Sequence, residues 1–457
     1  MPARARYDLV LRSRRAVLPD GEQPAAVCVA GGRIAAVLSY ADPVDGARDI
    51  HLGDLALLPG LVDTHVHVNE PGRTEWEGFA SATRAAALGG VTTLIDMPLN
   101  SVPPTTTAAA LTAKRAAATG KCAVDVGFWG GAVPENITDP AELSALHTAG
   151  VFGFKCFLAD SGVPEFPPVS RAGLETAAHY LARLGATLIV HAEDGSTLGE
   201  LTAPGLGAST RFGDFLATRP DSAECLAVSD VLAAARRTGA RVHILHLSSA
   251  EPLGLIEHAR AEGVAVTVET CPHYLVFDAE DVPDGATEFK CCPPIRSAAN
   301  RERLWAALES GLIDFIVSDH SPCTVDLKLR ESGDFGAAWG GIASVQLGLS
   351  AVWTAARGRG WQLGEVADAM ARRTADFAGL PRKGRIEIGC DADLVVFDPE
   401  ARWKVNAHEL AHRNPVTPYH ARTLTGLVRA TYLRGEEADG TPRGRLLRRD
   451  PATGTAS

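Results

Sequence analysis

The sequence lacks the features that mark several large classes of protein. No stretch reaches the ~18 uninterrupted apolar residues of a membrane span, so no membrane partner is expected. The Lys and Arg residues form no long cluster, and with a formal net charge of -11 the chain is not expected to bind nucleic acid. The nine cysteines include no Cys-x-x-Cys pair, and their odd number does not suit a complete disulfide framework. A reducing cytoplasm is therefore the expected location.

The composition and the apolar pattern predict a large α/β domain together with a smaller one. The chain has 457 residues, of which 46% are hydrophobic and 22% charged, as is usual for globular proteins. Between residues 91 and 317, short β-branched runs alternate with Ala- and Leu-rich helical stretches, which indicates repeated βα units. Seven such runs and the strand that contains His65 make eight, the number that closes a (β/α)8 TIM-like barrel. An open doubly wound sheet would show a similar alternation.

The two chain ends differ from this pattern. Both contain strands and turns, so we predict that residues 1–56 and 385–440 share a small β-sandwich domain, beside a barrel of residues 57–384. Residues 441–457 contain Gly, Pro, Thr and Arg without apolar periodicity. We predict a flexible tail there.

Two histidines at the end of an apolar run are the first chemical signal. His65 and His67 are separated by one residue, and alternation along a strand points both imidazoles to the same side, as one metal ion requires. The step Pro71-Gly72 cannot continue a central strand, so the pair is predicted to face a loop-rich strand end. Two such histidines are also compatible with an ordinary exposed strand, and the spacing alone leaves both interpretations open.

Four further polar residues stand at the ends of predicted strands, where a barrel of this type holds its reactive groups. They are Lys155, His191, His246 and Asp319. Taken singly, His191 is compatible with a hydrogen-bonded structural histidine and Asp319 with a helix N-cap. A lysine in an apolar strand must lower its pKa or find a partner, and His243 is predicted to be structural because its strand parity is opposite to that of His246. With the two histidines of the first strand, the four would supply ligands for two divalent metals.

The motifs resemble, in order, those of one known family. Residues 59–67 (PGLVDTHVH), 153–155 (GFK) and 318–322 (SDHSP) are similar to those of the cyclic amidohydrolases, which include dihydroorotases, hydantoinases and allantoinases. The resemblance covers about residues 1–435 and implies the barrel and the small β domain. Within the family it is closest to the allantoinase group, through residues 69–78 (NEPGRTEWEG) and 96–101 (DMPLNS).

The resemblance implies a binuclear metal centre. In that arrangement a carboxylated Lys155 bridges two divalent ions, zinc by default and otherwise cobalt, manganese or iron. The implied ligands are His65, His67 and Asp319 for one ion and His191 and His246 for the other. A hydroxide that bridges the ions would attack a ring carbonyl, with Asp319 as general base and then general acid.

The resemblance also implies a substrate and an assembly. The allantoinase group opens the hydantoin ring of allantoin to give allantoate in purine and ureide breakdown, and a hydantoinase that acts on other cyclic ureides is the alternative. A dihydroorotase is less favoured because Asn69 replaces an arginine of that group. A relative that has lost catalysis is less favoured because all six ligand positions are present in this chain. The predicted substrate contacts are Ser321, Gly341, Ile342 and Asn69. A homo-oligomer, by resemblance a homotetramer, is expected.

Overall fold

The structure is a computed structural model that describes residues 7–201 and 209–449. The strands of these ranges are β1 (Leu9–Leu18), β2 (Gly21–Ala30), β3 (Arg33–Ser39), β4 (Asp49–Pro59), β5 (Leu61–Val66), β6 (Val91–Asp96), β7 (Asp125–Phe128), β8 (Gly130–Gly131), β9 (Phe154–Phe157), β10 (Leu188–His191), β11 (Val242–Ile244), β12 (Val266–Thr270), β13 (Phe315–Ile316), β14 (Leu394–Lys404), β15 (Thr423–Leu433) and β16 (Glu436–Glu437). The α-helices are α1 (Phe79–Leu88), α2 (Ala108–Ala118), α3 (Pro134–Ile137), α4 (Pro140–Thr148), α5 (Arg171–Leu184), α6 (Gly195–Leu201), α7 (Phe212–Ala217), α8 (Asp221–Thr238), α9 (Leu253–Ala261), α10 (Pro272–Val276), α11 (Ala298–Glu309), α12 (Gly348–Arg357), α13 (Leu363–Ala367) and α14 (Arg373–Phe377).

Parallel strands close the predicted barrel. β5, β6 and β7 form one sheet, and β8 to β13 form a second sheet in sequence order. Only Trp129 separates β7 from β8, so these two segments act as one of the eight barrel strands. The ring closes where His320, shortly after β13, bridges Val66 of β5. The prediction of a (β/α)8 barrel is confirmed, and its strands are buried because helices cover the outside of the sheet.

The barrel helices are positioned by apolar stripes. α5, for example, begins after Ser170, whose side chain accepts a hydrogen bond from the Gly173 N–H (3.1 Å), and it ends at Gly185 with a φ of 65°. Its buried residues recur at three- and four-residue spacing and join the main core; they are Leu174, Ala177, Ala178 and Leu181. Among the helices of the described ranges, none combines the length and hydropathy that a membrane crossing needs.

The remaining strands form one seven-stranded sheet in the order β16-β15-β14-β4-β1-β2-β3. β4 joins the contributions of the two chain ends, because it pairs in parallel with β1 and antiparallel with β14. Neighbouring residues of β1 enter different apolar clusters, Leu9 and Leu11 on one face and Val10 on the other. The expected small β-sandwich domain, built from both chain ends, is confirmed.

A buried ion network ties this domain to the barrel. The Lys383 Nζ lies 2.7 Å from Oδ2 of Asp125, at the start of β7, and 2.6 Å from Oδ2 of Asp393, just before β14. The three side chains are at most 5% exposed. Arg434 adds a second cation, 2.7 Å from the same oxygen of Asp125. The network matters for stability because buried charges need partners.

Part of the predicted tail is attached to the barrel. The Val126 N–H in β7 donates to the Arg445 carbonyl (2.9 Å), and the Leu447 N–H donates back to the Val126 carbonyl (2.7 Å). Within the ring, β8 pairs with β9, whereas β7 itself pairs only with β6 and is an edge of its sheet. Its free backbone groups can therefore accept an added segment. This corrects the prediction of a flexible tail for residues 441–449, whereas residues 450–457 lie outside the described residues.

Candidate metal centre and active site

Six polar side chains meet at the carboxyl ends of the barrel strands. Each is at most 7% exposed, and each belongs to a strand end or to the first residues of the loop that follows. They are His65 and His67 of β5 and its loop, Lys155 of β9, His191 of β10, His246 after β11 and Asp319 after β13. The parallel direction of the strands places all these ends on one face of the barrel.

The first group of atoms gathers around Asp319. His65 Nε2 lies 3.1 Å from Asp319 Oδ1 and 3.5 Å from Lys155 Nζ. His67 Nε2 lies 3.6 Å from the same carboxylate oxygen. The possible ligand atoms of the two histidines and Asp319 all fall within 4.8 Å of one another.

The second group consists of the histidines of β10 and the loop after β11. His191 Nδ1 lies 3.0 Å from His246 Nε2, and the ring centroids of His246 and His65 are 5.3 Å apart. The structure therefore brings together all six residues that the sequence analysis selected as ligands.

The backbone is strained at two of these positions. His246 has a φ of 35° and Asp319 a φ of 42°, in the left-handed region that side chains with a Cβ seldom adopt. Such conformations persist only where the surrounding structure imposes them, and they cluster at active sites.

Burial decides the charge of the site. Burial, followed by the nearby charge of Lys155, lowers the pKa values of His65 and His67 well below their usual range. Burial also lowers the pKa of His246, so these imidazoles are neutral and carry free lone pairs at neutral pH. The pKa of Lys155 is lowered by burial, and that of Asp319 is raised by burial, while the opposite charge of each residue counters the shift of the other.

Two buried glutamates orient the histidines. Glu269 Oε1 accepts a hydrogen bond from His65 Nδ1 (2.5 Å) and another from the His246 backbone N–H (3.2 Å). Glu193 Oε2 accepts from His191 Nε2 (2.8 Å) and from Arg219 Nη1 (2.5 Å). Each bond occupies one ring nitrogen and leaves the other nitrogen facing the centre, as metal-binding histidines require. Sequence analysis did not assign these roles. Glu269 acts on a histidine 204 positions away, which no local pattern marks, whereas Glu193 lies two residues after His191 and that short spacing is a signal that could have found it.

The other histidines of this region have structural contacts. His243 Nδ1 hydrogen-bonds Thr267 Oγ1 (2.8 Å), and its ring stacks on Phe315 outside the group of six. His320 lies 3.1 Å from a Glu77 carboxylate oxygen through Nε2 and accepts the Ser344 N–H (3.0 Å) through Nδ1.

His273 is the exception among these histidines. It is fully buried, and neither ring nitrogen has a hydrogen-bond partner among the described residues. Its ligand atom lies within 4.8 Å of those of Cys271 and Asp319.

The donor set fits divalent metal ions. Four neutral imidazoles, a carboxylate and a lysine that can carry a carbamate form a mixed nitrogen and oxygen environment, which zinc, cobalt, manganese or iron accepts. Orientation of the imidazoles by Glu193 and Glu269 agrees with the same use, since a carboxylate behind a histidine fixes its tautomer.

A cavity of about 230 Å³ opens onto five of the six residues, and only His65 lies outside its wall. Ser321 and Gly341, two of the predicted substrate contacts, belong to its wall. Asn69 and Ile342 do not: the Asn69 side chain donates to the Pro322 carbonyl (3.3 Å), and the Ile342 carbonyl accepts the Ser321 N–H (3.0 Å). These two residues shape the loop that carries the wall.

The wall also contains residues that the sequence analysis did not select. They include Asn100, Phe157, Arg219, Lys290, Cys292 and Trp339. They come from β9 and from different loops, and only the closed barrel brings them to one cavity. Cys156 lies outside this wall, and burial raises the pKa of its thiol to about 12, which does not suit a thiolate nucleophile.

Comparison with known proteins places this geometry in a class. The chain belongs to the amidohydrolase family, which its residues 56–436 match. It is 57% identical over 450 residues to an allantoinase of Streptomyces avermitilis, with 97% of this chain and 99% of the relative covered. It is 48% identical over 402 residues to an allantoinase of Saccharomyces cerevisiae, with 86% of each chain covered.

A solved structure has the same fold. The L-hydantoinase (dihydropyrimidinase) from Arthrobacter aurescens is similar with a TM-score of 0.88 at 30% identity, over 97% of this chain and 100% of that chain. The resemblance to the cyclic amidohydrolases is therefore confirmed.

Proposed function

We propose that this protein is an allantoinase, which hydrolyses the hydantoin-ring amide of allantoin to give allantoate. The observation that carries the proposal is a cavity lined by histidine, lysine and aspartate in a chain that is 57% identical, over 97% of its length, to a curated allantoinase. The enzyme class is a hydrolase of cyclic amides.

Six residues are proposed to hold two divalent ions, zinc by default. His65, His67 and Asp319 would bind one ion and His191 and His246 the other, with a carboxylated Lys155 between them. Two such ions supply a water nucleophile of low pKa and polarise a carbonyl group. Among the described residues Lys155 forms no salt bridge although it is only 1% exposed, and the carbamate would replace this buried cation by an anion suited to bridging.

Asp319 is proposed to move the proton. Its carboxylate borders the cavity, and burial raises its pKa, which makes it a stronger base than an exposed carboxylate. It would accept a proton from the attacking water as the water oxygen bonds to the ring carbonyl carbon. It would then deliver that proton to the ring nitrogen as the C–N bond breaks, so that no other acid is needed.

A hydantoinase acting on simpler cyclic ureides is the second candidate. It is favoured by the similarity to the solved L-hydantoinase, which shares 30% of its residues with this chain. The two candidates share the ring chemistry and differ in whether the enzyme recognises the ureido arm on the ring.

The test is turnover of allantoin, hydantoin, 5-substituted hydantoins and dihydroorotate by metal-loaded protein, with metal analysis of the same sample. Preferred hydrolysis of allantoin, lost in an Asp319→Asn variant by a factor of about 100 or more, is the expected result. Preference for hydantoins without the ureido arm would move the assignment to hydantoinase. Failure to bind metal or turn over any cyclic amide would contradict both.

We also propose a cytoplasmic homotetramer. All nine cysteines are free, in agreement with a reducing compartment. Light scattering of the purified protein tests the assembly, and a monomer would contradict it.

A further inference from the structure

Two neighbouring tryptophans, one of them in the cavity wall, have no part in the chemistry described above. Trp339 belongs to the cavity wall and is half-buried. Trp76 lies behind it and is only 8% exposed. Their ring centroids are 4.8 Å apart with the planes at 64°, so one ring meets the other in an edge arrangement. Trp339 thus has an aromatic neighbour behind it and the cavity in front of it.

Arg73, a charged residue, holds Trp76 in place. The Arg73 guanidinium lies 5.4 Å from the Trp76 ring centroid, in a cation–π contact. Arg73 Nη2 lies 2.7 Å from Glu165 Oε1, and its Nη1 donates to the Asn100 carbonyl (2.8 Å). The loops after β5, β6 and β9 are therefore tied together behind the ring that faces the cavity.

The backbone of Trp339 is held from the other side by a buried lysine. Lys328 is 3% exposed, and its Nζ donates to the carbonyls of Trp339 (2.9 Å) and Gly341 (2.5 Å). The Trp339 N–H in turn donates to the Leu327 carbonyl (2.8 Å). A charged donor on a carbonyl makes a strong hydrogen bond, so the position of Trp339 is set before any substrate arrives.

A fixed aromatic ring in the cavity wall favours contact with a planar group of the substrate. The ring carbonyl that is attacked must lie against the proposed ligand residues of the cavity wall, all at most 7% exposed. A substituent on the neighbouring ring carbon then lies away from the ligand residues, and Trp339, a half-buried member of the same wall, offers it a contact. Allantoin carries a planar ureido arm at that carbon, whereas hydantoin carries only hydrogen.

We propose that Trp339 is a specificity-determining residue whose indole face contacts the ureido arm of the substrate, with Trp76 and Arg73 as its support. This inference rests on the proposed function and deepens it. It requires that loss of the indole face lowers kcat/KM for allantoin more than kcat/KM for hydantoin, because only allantoin has the arm.

The experiment compares kcat and KM for allantoin and hydantoin in the wild type, Trp339→Ala and Trp339→Phe, each checked for metal content and melting temperature. If hydantoin turnover is too slow to measure, its Ki as a competitive inhibitor of allantoin hydrolysis replaces KM. The control is Trp361→Phe, since Trp361 also packs edge to face against a second tryptophan, Trp305 (5.2 Å, 81°), but lies outside the cavity wall.

We expect Trp339→Ala to lower kcat/KM for allantoin by about 10-fold, mainly through KM, and to lower the value for hydantoin much less. Trp339→Phe, which keeps a smaller aromatic face, should be intermediate, so the test survives if the alanine variant does not fold. Equal losses on both substrates, or no loss on allantoin, would overturn the inference. A wild type that does not hydrolyse allantoin would instead overturn the proposed function, so the two failures are distinguishable.

Discussion

Replacement of Glu193 by Gln tests whether a residue outside the proposed ligand set controls the metal centre. Glu193 is fully buried, and one of its oxygens accepts hydrogen bonds from both His191 and Arg219. Burial raises its pKa, but the charge of Arg219 and the bond from His191 outweigh burial and lower the pKa to about 2. Glu193 is therefore ionised at neutral pH. Glutamine keeps the size and the acceptor oxygen but removes the charge.

The expected loss of metal affinity follows from the hydrogen bond between His191 and Glu193. A hydrogen bond to a charged group contributes about 1.5–3 kcal/mol and a neutral one about 0.5–1.5 kcal/mol, so the change weakens the support of His191 by about 1–1.5 kcal/mol. Since about 1.4 kcal/mol corresponds to a factor of ten in an equilibrium constant, we expect Glu193→Gln to weaken metal binding at His191 and His246 by about tenfold. This lies within the roughly 10- to 100-fold effects known for partners of metal-bound histidines.

The assay is competition with a chelator, read by metal analysis and by residual activity. The control is Glu175→Gln, because Glu175 also pairs with an arginine, Arg237 (2.8 Å), but both side chains are about half exposed. We expect one of the two metal equivalents to be lost at a lower chelator concentration in Glu193→Gln only. If the variant keeps both equivalents with wild-type affinity, Glu193 does not position His191 for a metal and the reasoning is refuted.

Two other predictions concern the bridging lysine and the domain interface. Lys155→Ala should lower activity by more than the roughly 100-fold that loss of a supporting residue costs, and short carboxylic acids should restore part of it; full activity without additive would contradict the carbamate. Lys383→Met should lower the free energy of unfolding by about 3–5 kcal/mol near pH 7, because it removes the buried cation next to Asp393 and leaves Asp125 with Arg434 alone. Burial raises the pKa of Asp125, but the charges of Lys383 and Arg434 outweigh burial and depress it, so this carboxylate stabilises the fold above its unfolded pKa and stops doing so as the pH falls through the folded value. Without the cation these carboxylates take up protons at higher pH, so the deficit should shrink between pH 7 and pH 5 in urea unfolding; a deficit that grows toward pH 5 would be inconsistent with this account.

The sequence by itself determined the elements that depend on neighbouring residues. Alternation of short apolar runs with helical stretches predicted the eight barrel strands, because strand and helix periodicity are local properties. The position of Lys155, His191 and Asp319 at the ends of such runs predicted their convergence, since parallel strands present all their carboxyl ends on one face. These predictions required only the local pattern of residues and the parallel direction of the strands.

The tertiary structure decided which distant residues meet. Glu269 contacts His65 across 204 positions of the chain, and Trp76 meets Trp339 only after the barrel has closed. It also decided that Asn69 and Ile342 lie outside the cavity wall, although both neighbour motif residues. Sequence spacing carries no distance between separate loops, and closure of the ring sets those distances.

The tertiary structure also decided the position of residues 441–449, the attached part of the C-terminal segment. Residues 441–449 have no apolar periodicity, so their sequence predicted no element. They are held by backbone hydrogen bonds to the edge strand β7, at Val126 and its neighbours, and these bonds hardly depend on side-chain identity. An available edge is a property of the folded sheet, and the segment's own residues do not encode it.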